Sequence, residues 1–310
     1  MNKALYLILF ISSIFTTGCG KPDITDDLLD GKIIFDASLY EPEKFLVSAK
    51  YPNPTTADLD RHILIAVHGY SATTFEWQEF ADWTTPTATY RTSQVLLGNH
   101  GTTYDDFKNS SWKDWKSTIM EEYEKLEALG YKKISFVGSS TAATLILELI
   151  SSNYFNNHLA PKNIFFIDPI VVSSVKIQSI AGIVGPMIVY SKNSLEDGET
   201  KYWYTFRPEE TIRELNKIMK IVRKDLESGF KLPKDTYLKS FHSKNDPTAS
   251  STSTVLIYKG LKTSNGNNID IEIMDSEIHV FTRLAGRKQV SNKNKANQLH
   301  AFNEMFKKLE

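Results

Sequence analysis

Apolar runs and helical apolar spacings alternate along most of the chain. The run at 63–67 is continuously apolar, and 133–137 and 164–167 are rich in apolar residues, which is typical of strands buried in a parallel sheet. The segment 112–129 has apolar residues at helical spacing and is followed by Gly130, so it is predicted to be an amphipathic helix that ends there. Further strands are predicted at 32–38, 45–50, 94–97, 237–241 and 269–274, and further helices at 141–150, 208–226, 251–259 and 291–309.

This alternation predicts the fold class. Strands separated by helices form an α/β fold with a mainly parallel central sheet and helices on both of its faces. The rhythm is interrupted at about 170–232, which we interpret as an insertion at the carboxyl edge of the sheet. Because ligands of such sheets bind outside the carboxyl ends of the strands, the insertion is expected to form a cap over the site.

The composition excludes several classes of protein. The chain has 310 residues, 36 basic and 37 acidic side chains and a net charge of −1, which argues against nucleic acid as a partner. Apolar residues make up 41% and charged residues 24%, as in ordinary globular proteins. One cysteine excludes an intrachain disulfide framework. No metal-ligand spacing, phosphate loop or dinucleotide fingerprint occurs, so we expect neither a metal nor a cofactor.

The first residues have the features of an export signal. A basic start is followed by an apolar run at 4–15 that is too short to span a bilayer, and small residues precede Cys19, as in a bacterial lipobox. This resemblance implies a lipoprotein signal peptide at 1–18, an acylated Cys19 and attachment to a membrane of the bacterial cell envelope. We expect a flexible tether at 19–31 and a folded domain at 32–310. The alternative is an ordinary cleaved signal with an incidental cysteine.

A candidate nucleophile lies between a predicted strand and a predicted helix. The segment Gly138-Ser139-Ser140-Thr141-Ala142 fits the pattern G-x-S-x-A, a variant of the nucleophile elbow. Small residues are needed on both sides of the turn, and Gly138 and Ala142 meet that need. The elbow would expose Ser140, with the Thr141 N–H as an oxyanion donor. The alternative, a serine that only caps a helix, is weakened by the strand-turn-helix context.

A second motif follows the predicted strand at 63–67. His68-Gly69-Tyr70 is typical of the oxyanion loop of α/β-hydrolases. Gly69 would permit the sharp turn, the Tyr70 N–H would be the second oxyanion donor, and His68 would fix the loop. A generic strand-to-loop turn is the alternative interpretation, because glycine is common in turns.

A serine nucleophile needs a histidine base that is oriented by a carboxylate. In α/β-hydrolases the order along the chain is serine, acid, histidine. We select His279, which follows the last predicted strand, over His242 at the end of the preceding one. His100 is interpreted as a loop residue near the mouth of the site. Surface or packed positions are expected for the other candidates, which are His62, His158 and His300.

Two aspartates are candidates for the acid. Asp246 follows the predicted strand at 237–241 and stands before a proline, as in the acid turn of the family. Asp168 follows the strand at 164–167 and is the second candidate, with a loop cap as its alternative role. We select Asp246 as the acid.

Together these residues resemble an α/β-hydrolase serine enzyme. The segments 97–102 and 112–115 are similar to those of the monoacylglycerol lipase and carboxylesterase branch. The resemblance implies hydrolysis of small carboxylic esters through an acyl-enzyme, and the apolar stretch 180–189 would line an acyl pocket or pack in the core. Two alternatives stay open. One is an inactive, membrane-tethered ligand-binding protein on the same scaffold, and the other is a thioesterase, acyltransferase or peptidase with the same triad.

Overall fold

In the computed structural model, residues 41–85, 88–174, 190–193 and 195–310 are described. The predicted signal peptide, Cys19, the tether and the strand at 32–38 lie outside these residues. The strands are β1 (Ile63–Val67), β2 (Arg91–Val95), β3 (Ile134–Ser139), β4 (Asn163–Ile167), β5 (Tyr190–Lys192), β6 (Phe206–Pro208), β7 (Phe230–Lys231), β8 (Tyr237–Ser243), β9 (Leu261–Lys262) and β10 (Asp270–Met274). The α-helices are α1 (Pro42–Phe45), α2 (Val47–Lys50), α3 (Thr56–Leu59), α4 (Gln78–Thr84), α5 (Tyr104–Lys108), α6 (Trp112–Leu129), α7 (Thr141–Ser151), α8 (Glu209–Ser228), α9 (Thr252–Gly260) and α10 (Asn292–Leu309). Short 3₁₀ turns lie at Thr74–Trp77 and Tyr154–Asn156.

The central sheet has six strands in the order β10-β8-β4-β3-β1-β2. Every neighbouring pair in it is parallel, and Val67 of β1 lies opposite Gly138 of β3. The predicted parallel α/β sheet is therefore confirmed. The carboxyl ends of β1, β3, β8 and β10 lie at one edge, where the candidate residues follow them in sequence.

Alternate side chains of the strands enter two separate hydrophobic cores. Ile63, Ile65 and Val67 of β1 pack in one core with side chains of α6, α7 and α8. Leu64 and Ala66 point to the opposite face, where they join a core formed with α4 and α10. Helices therefore cover both faces, and this double burial explains why β1 has no polar position.

Helix α6 has the bounds that its sequence pattern predicts. The Ser111 hydroxyl accepts a hydrogen bond from the Asp114 N–H, and the Asp114 carboxylate accepts one from the Ser111 N–H. Gly130 ends the helix with a φ of 96°, a left-handed conformation that glycine adopts without a steric penalty. The helix buries the face that carries Trp115, Ile119 and Tyr123.

The predicted strand at 45–50 is wrong, because this segment forms α1 and α2. Pro42 occupies the first turn of α1, where its missing N–H costs nothing. The Val47 N–H donates to the Ser93 hydroxyl at 3.0 Å, and Ser48 hydrogen-bonds to the buried Glu122. The N–H groups of Val47 and Ser48 thus donate to acceptors that are distant in sequence. The local pattern of apolar residues does not reveal such partners.

The interruption at 170–232 contains an antiparallel pair and a long helix. Strands β5 and β6 pair with each other outside the central sheet, and α8 packs against α7 and α9. The backbone of Leu226 comes so close to Gly260 that a methyl group there would lie 2.1 Å from the Leu226 carbonyl oxygen. The apolar stretch 180–189 lies outside the described residues. Among the helices that are described, none combines the length and apolar character needed to cross a bilayer.

Candidate active site

Ser140 lies on a strained turn between β3 and α7. Its φ of 49° and ψ of −114° fall in a sparsely populated region, which costs about 1–3 kcal/mol. A methyl group on Gly138 would lie 2.8 Å from Ile146 Cδ1 and 3.1 Å from the Ala142 carbonyl carbon, so a side chain there would require α7 or Ile146 to shift. Ala142 is fully buried. The turn thus has the small residues and the backbone conformation expected of a nucleophile elbow.

The structure brings Ser140, His279 and Asp246 into one hydrogen-bonded chain. His279 Nε2 lies 3.0 Å from Ser140 Oγ, and His279 Nδ1 lies 2.7 Å from Asp246 Oδ2. Asp246 Oδ1 accepts hydrogen bonds from the Thr248 N–H at 2.7 Å and the Ala249 N–H at 3.0 Å. One carboxylate oxygen is therefore fixed by the backbone, which aims the other at the imidazole.

The charges around His279 favour the protonated form of its imidazole. Burial by itself would lower the pKa of His279, but the Asp246 carboxylate and its hydrogen bond outweigh it, so the pKa lies above the ordinary 6.5. Burial would likewise raise the pKa of Asp246, but His279 and the two backbone donors hold it below the ordinary 3.8. A carboxylate that is held in its charged form beside an imidazole can stabilise the imidazolium.

Tyr70 and Thr141 line the same pocket as Ser140 and His279. Thr141 is the first residue of α7, where a helix leaves its N–H groups without an intrahelical acceptor. Backbone N–H groups at such a place can stabilise a developing oxyanion, together with the helix dipole.

His68 lies in the loop that follows β1 and forms hydrogen bonds there. It is fully buried, and burial lowers its pKa to about 4, so the ring is neutral. Its Nδ1 lies 2.8 Å from the Gly69 carbonyl oxygen and its Nε2 accepts from the Leu97 N–H at 3.0 Å. The ring therefore joins the ends of β1 and β2.

Glu76 links the loop after β1 to the turn that precedes Ser140. Its Oε1 accepts hydrogen bonds from the Gly69 N–H at 2.8 Å and from the Ser139 hydroxyl. The side chain is buried and lines the pocket. Sequence reasoning missed this residue, because no motif marks a glutamate in the 3₁₀ turn after β1.

The expectation that His100 lies near the mouth is wrong. The ring is fully buried, with its centroid 4.7 Å from Phe107 and 5.3 Å from His68. Burial holds its pKa well below the ordinary value. The aromatic side chains of α5 and α6 enclose this loop, and their packing against it cannot be read from local sequence.

Asp168, the second acid candidate, makes no hydrogen bond to His279 among the described residues. Its carboxylate accepts from the Ser243 N–H at 2.6 Å and the Phe281 N–H at 3.3 Å. Burial and the neighbouring Asp246 charge raise its pKa to about 7. Asp168 therefore joins the carboxyl end of β8 to the loop after β10.

A group of three potential metal ligands lies beneath the triad. Asp168, His242 and Asp246 each offer an atom within 4.8 Å of the others. Both ring nitrogens of His242 already have partners, the Ala249 carbonyl oxygen at 3.1 Å and the Thr254 hydroxyl at 2.9 Å. These residues thus form a hydrogen-bonded support for the loop of Asp246, and a metal ion would have to displace existing bonds.

The remaining histidines contact other parts of the protein. Each forms a hydrogen bond with another side chain, and these are His62 with Ser135 at 2.6 Å, His158 with Glu127 at 2.6 Å and His300 with Glu272 at 2.7 Å. None of the three lines the pocket at Ser140.

Residues of the segment 170–232 lie at the pocket that contains Ser140. Trp203, Arg207 and Leu215 line the pocket together with Ser140 and His279. The Arg283 guanidinium lies 4.4 Å from the centroid of the Trp203 ring. Sequence reasoning expected a cap from this segment but identified neither Trp203 nor Arg207, since both are brought to the site by long-range packing.

Comparisons with known proteins identify the fold. No protein-family model and no curated protein matches the chain. A structure reported for the metagenome-derived lipolytic enzymes LipS and LipT is similar, with a TM-score of 0.62, 15% identity and coverage of 80% of this chain and 94% of its own. A monoacylglycerol lipase from Paleococcus ferrophilus is similar with a TM-score of 0.59 and 11% identity, and the match covers 79% of this chain and 94% of the lipase. A soluble variant of the Saccharomyces cerevisiae monoglyceride lipase is similar with a TM-score of 0.55 and 13% identity, and the match covers 83% of this chain and 88% of the variant. At these identities the likeness establishes the α/β-hydrolase fold alone.

Proposed function

We propose that the protein is a serine hydrolase that cleaves small carboxylic esters. The observation that carries the proposal is the continuous chain of hydrogen bonds from Ser140 through His279 to Asp246, at the carboxyl edge of the sheet. The similar solved structures are named as lipolytic enzymes and monoacylglycerol lipases, which supports ester bonds as the target.

The proposed reaction follows from this geometry. Ser140 Oγ attacks the acyl carbon while His279 Nε2 takes its proton, and the Tyr70 and Thr141 N–H groups stabilise the oxyanion. His279 then donates the proton to the leaving alcohol as the ester C–O bond breaks. Water attacks the acyl-enzyme by the same route, which releases the acid and restores Ser140. Asp246 keeps the imidazole in the required tautomer throughout.

The retained triad weighs against an inactive binding protein on this scaffold. A scaffold that has lost its chemistry has no need of a strained serine, which costs about 1–3 kcal/mol. A comparison of ester, thioester and amide substrates separates ester hydrolysis from the other reactions that a serine triad supports.

Substitution of Ser140 tests the proposal. We expect Ser140→Ala to lose turnover of 4-nitrophenyl acetate and labelling by a fluorophosphonate, while Ser228→Ala, an exposed serine at the end of α8, retains both. Circular dichroism checks that both variants fold. Full turnover in the Ser140→Ala protein would overturn the proposal.

We further propose that the chain is a lipoprotein attached to a bacterial membrane through Cys19. The support is the apolar segment at 4–15 and the small residues before the only cysteine. Each buried methylene group of an acyl chain contributes about 0.8 kcal/mol to the free energy of membrane binding, so two or more chains anchor a protein stably.

A further inference from the structure

Arg207 stands out among the residues that line the pocket. It belongs to β6 in the segment over the site, and it shares the pocket with Ser140 and His279. Its Nε donates to the Ser71 hydroxyl at 3.0 Å. Within the described parts of the chain, its two terminal nitrogens make no hydrogen bond, and no carboxylate lies within ion-pair distance of it.

An arginine at a pocket is normally paired. In this protein the buried Arg283 forms an ion pair with Glu199 at 2.5 Å. Among the described residues Arg207 has no such partner, although burial disfavours its charge and lowers its pKa. A guanidinium remains protonated even so, because its ordinary pKa exceeds 12. Arg207 is partly buried, and a partly desolvated charge without a partner is stabilised when a ligand supplies the counter-charge.

The position of the guanidinium is fixed by its surroundings. It lies 5.6 Å from the centroid of the Tyr70 ring, within the range of a cation–π contact. The Tyr70 hydroxyl is held in turn by Thr211 of α8 at 2.6 Å. Ser71, which accepts from Nε, is fully buried and has a φ of 60°. The side chain is therefore preorganised, and no described residue occupies its two terminal nitrogens.

The carboxylate of Glu76, which also lines the pocket, does not neutralise Arg207. Its Oε1 accepts from the Gly69 N–H and the Ser139 hydroxyl. No ion pair joins Glu76 to Arg207 among the described residues. The positive charge of Arg207 is therefore available to a substrate.

We propose that Arg207 is a specificity residue that binds a carboxylate carried by the ester substrate. The two terminal nitrogens of a guanidinium match the two oxygens of a carboxylate in a bidentate pair. The substrate class is then a half-ester of a dicarboxylic acid or a similar ester with one free carboxylate. This inference rests on the proposed ester hydrolysis. Cleavage of the ester bond by Ser140 is unchanged, and Arg207 only orients the substrate.

Matched substrates test the inference on the unmodified protein. The monomethyl esters of succinic, glutaric and adipic acid carry a carboxylate, and the corresponding methyl ω-amide esters are uncharged and of nearly equal shape. Acid release in a pH-stat gives kcat/KM for each. We expect the best anionic ester to exceed its amide by about tenfold to a hundredfold, the range of a charge-assisted hydrogen bond. The preference should weaken as salt is raised. Equal values for every pair would overturn the inference.

Variants assign the preference to a residue. Arg207→Gln should bring the ratio of anionic to amide ester close to one, and Arg207→Lys should keep part of it, because lysine retains the charge without the bidentate geometry. Arg213→Gln, an exposed position on α8, is the matched control and should keep the full ratio. A preference that survives in Arg207→Gln would show that another group recognises the carboxylate.

A binding measurement separates this inference from the proposed hydrolysis. The Ser140→Ala protein should bind monomethyl glutarate more tightly than its amide in calorimetry, and this difference should vanish when Arg207→Gln is added. Such binding together with an absence of ester turnover in the unmodified protein would refute the hydrolysis but keep the anion site. Ser140-dependent turnover without any preference for the anion would refute only the anion site.

Discussion

Replacing Asp246 with asparagine changes one atom but should reverse the imidazole tautomer. Asp246 Oδ1 accepts from the Thr248 and Ala249 N–H groups, so the amide of an asparagine must turn its oxygen to these donors. Its NH₂ group then faces His279 Nδ1, which lies 2.7 Å from the present carboxylate oxygen. Nδ1 becomes an acceptor, the proton moves to Nε2, and the ring can no longer take the proton of Ser140.

The size of the effect has two contributions. Loss of a hydrogen bond between charged groups costs about 1.5–3 kcal/mol of imidazolium stabilisation. The wrong tautomer adds to this, and the same carboxylate-to-amide change lowers kcat by about 10⁴ in the serine protease triad. Since tenfold in rate corresponds to about 1.4 kcal/mol, we expect kcat/KM to fall by about 10³–10⁴, or roughly 4–5.5 kcal/mol.

The assay is ester hydrolysis from pH 5 to 9, with unfolding in urea as a check on stability. The active imidazole is neutral, so in the unmodified protein activity should fall on the acid side with a midpoint above pH 6.5, the ordinary pKa of histidine. In Asp246→Asn the residual activity should have its midpoint at lower pH, because the carboxylate that raises the pKa is gone. Asp275→Asn, on the exposed loop after β10, is the control and should change neither kcat/KM nor the pH midpoint. Activity of Asp246→Asn within threefold of the unmodified protein would refute the reasoning.

Four further substitutions test other parts of the account. Glu76→Gln keeps an oxygen that can accept from both donors but removes the negative charge; it should move the acid midpoint to lower pH, because Glu76 raises the pKa of His279, and an unchanged pH profile would contradict this. Gly98→Ala should cost about 3 kcal/mol in urea unfolding, since its methyl group would lie 2.2 Å from a backbone oxygen; unchanged stability would contradict it. Asp168 has a folded-state pKa of about 7, above the ordinary 3.8, so the folded state holds a proton that the unfolded state has lost, and stability should fall as pH rises between these values. Asp168→Asn should remove that slope in urea titrations, and an equal slope in both proteins would count against a raised pKa. Cys19→Ala should abolish incorporation of alkyne-palmitate and release the protein from bacterial membranes; labelling of the variant would refute acylation at Cys19.

The elements that sequence predicts well are those whose pattern is set by burial. The run Ile63–Val67 is apolar throughout because β1 is central and covered on both faces. Helix α6 combines an apolar stripe with a serine cap and a terminal glycine, and each of these signals is local. The segment 45–50 lacks such signals, since its conformation depends on Ser93 and Glu122, which are distant in sequence.

The same distinction applies to the site. Ser140, Asp246 and His279 could be selected because each follows a recognisable strand, and the order of strands in the sheet brings their ends together. Glu76 and Arg207 could not be selected, because their roles arise from packing between loops and the segment over the pocket. No spacing of residue types in the sequence marks either contact.

Mass-spectrometric mapping of a fluorophosphonate adduct tests the central claim most directly. The unmodified protein is labelled, digested and sequenced, and the same is done with His279→Ala. We predict a single adduct on Ser140, formed at a rate that drops by several orders of magnitude when the imidazole is removed. An adduct on another serine, or equally fast labelling of Ser140 without His279, would contradict the account.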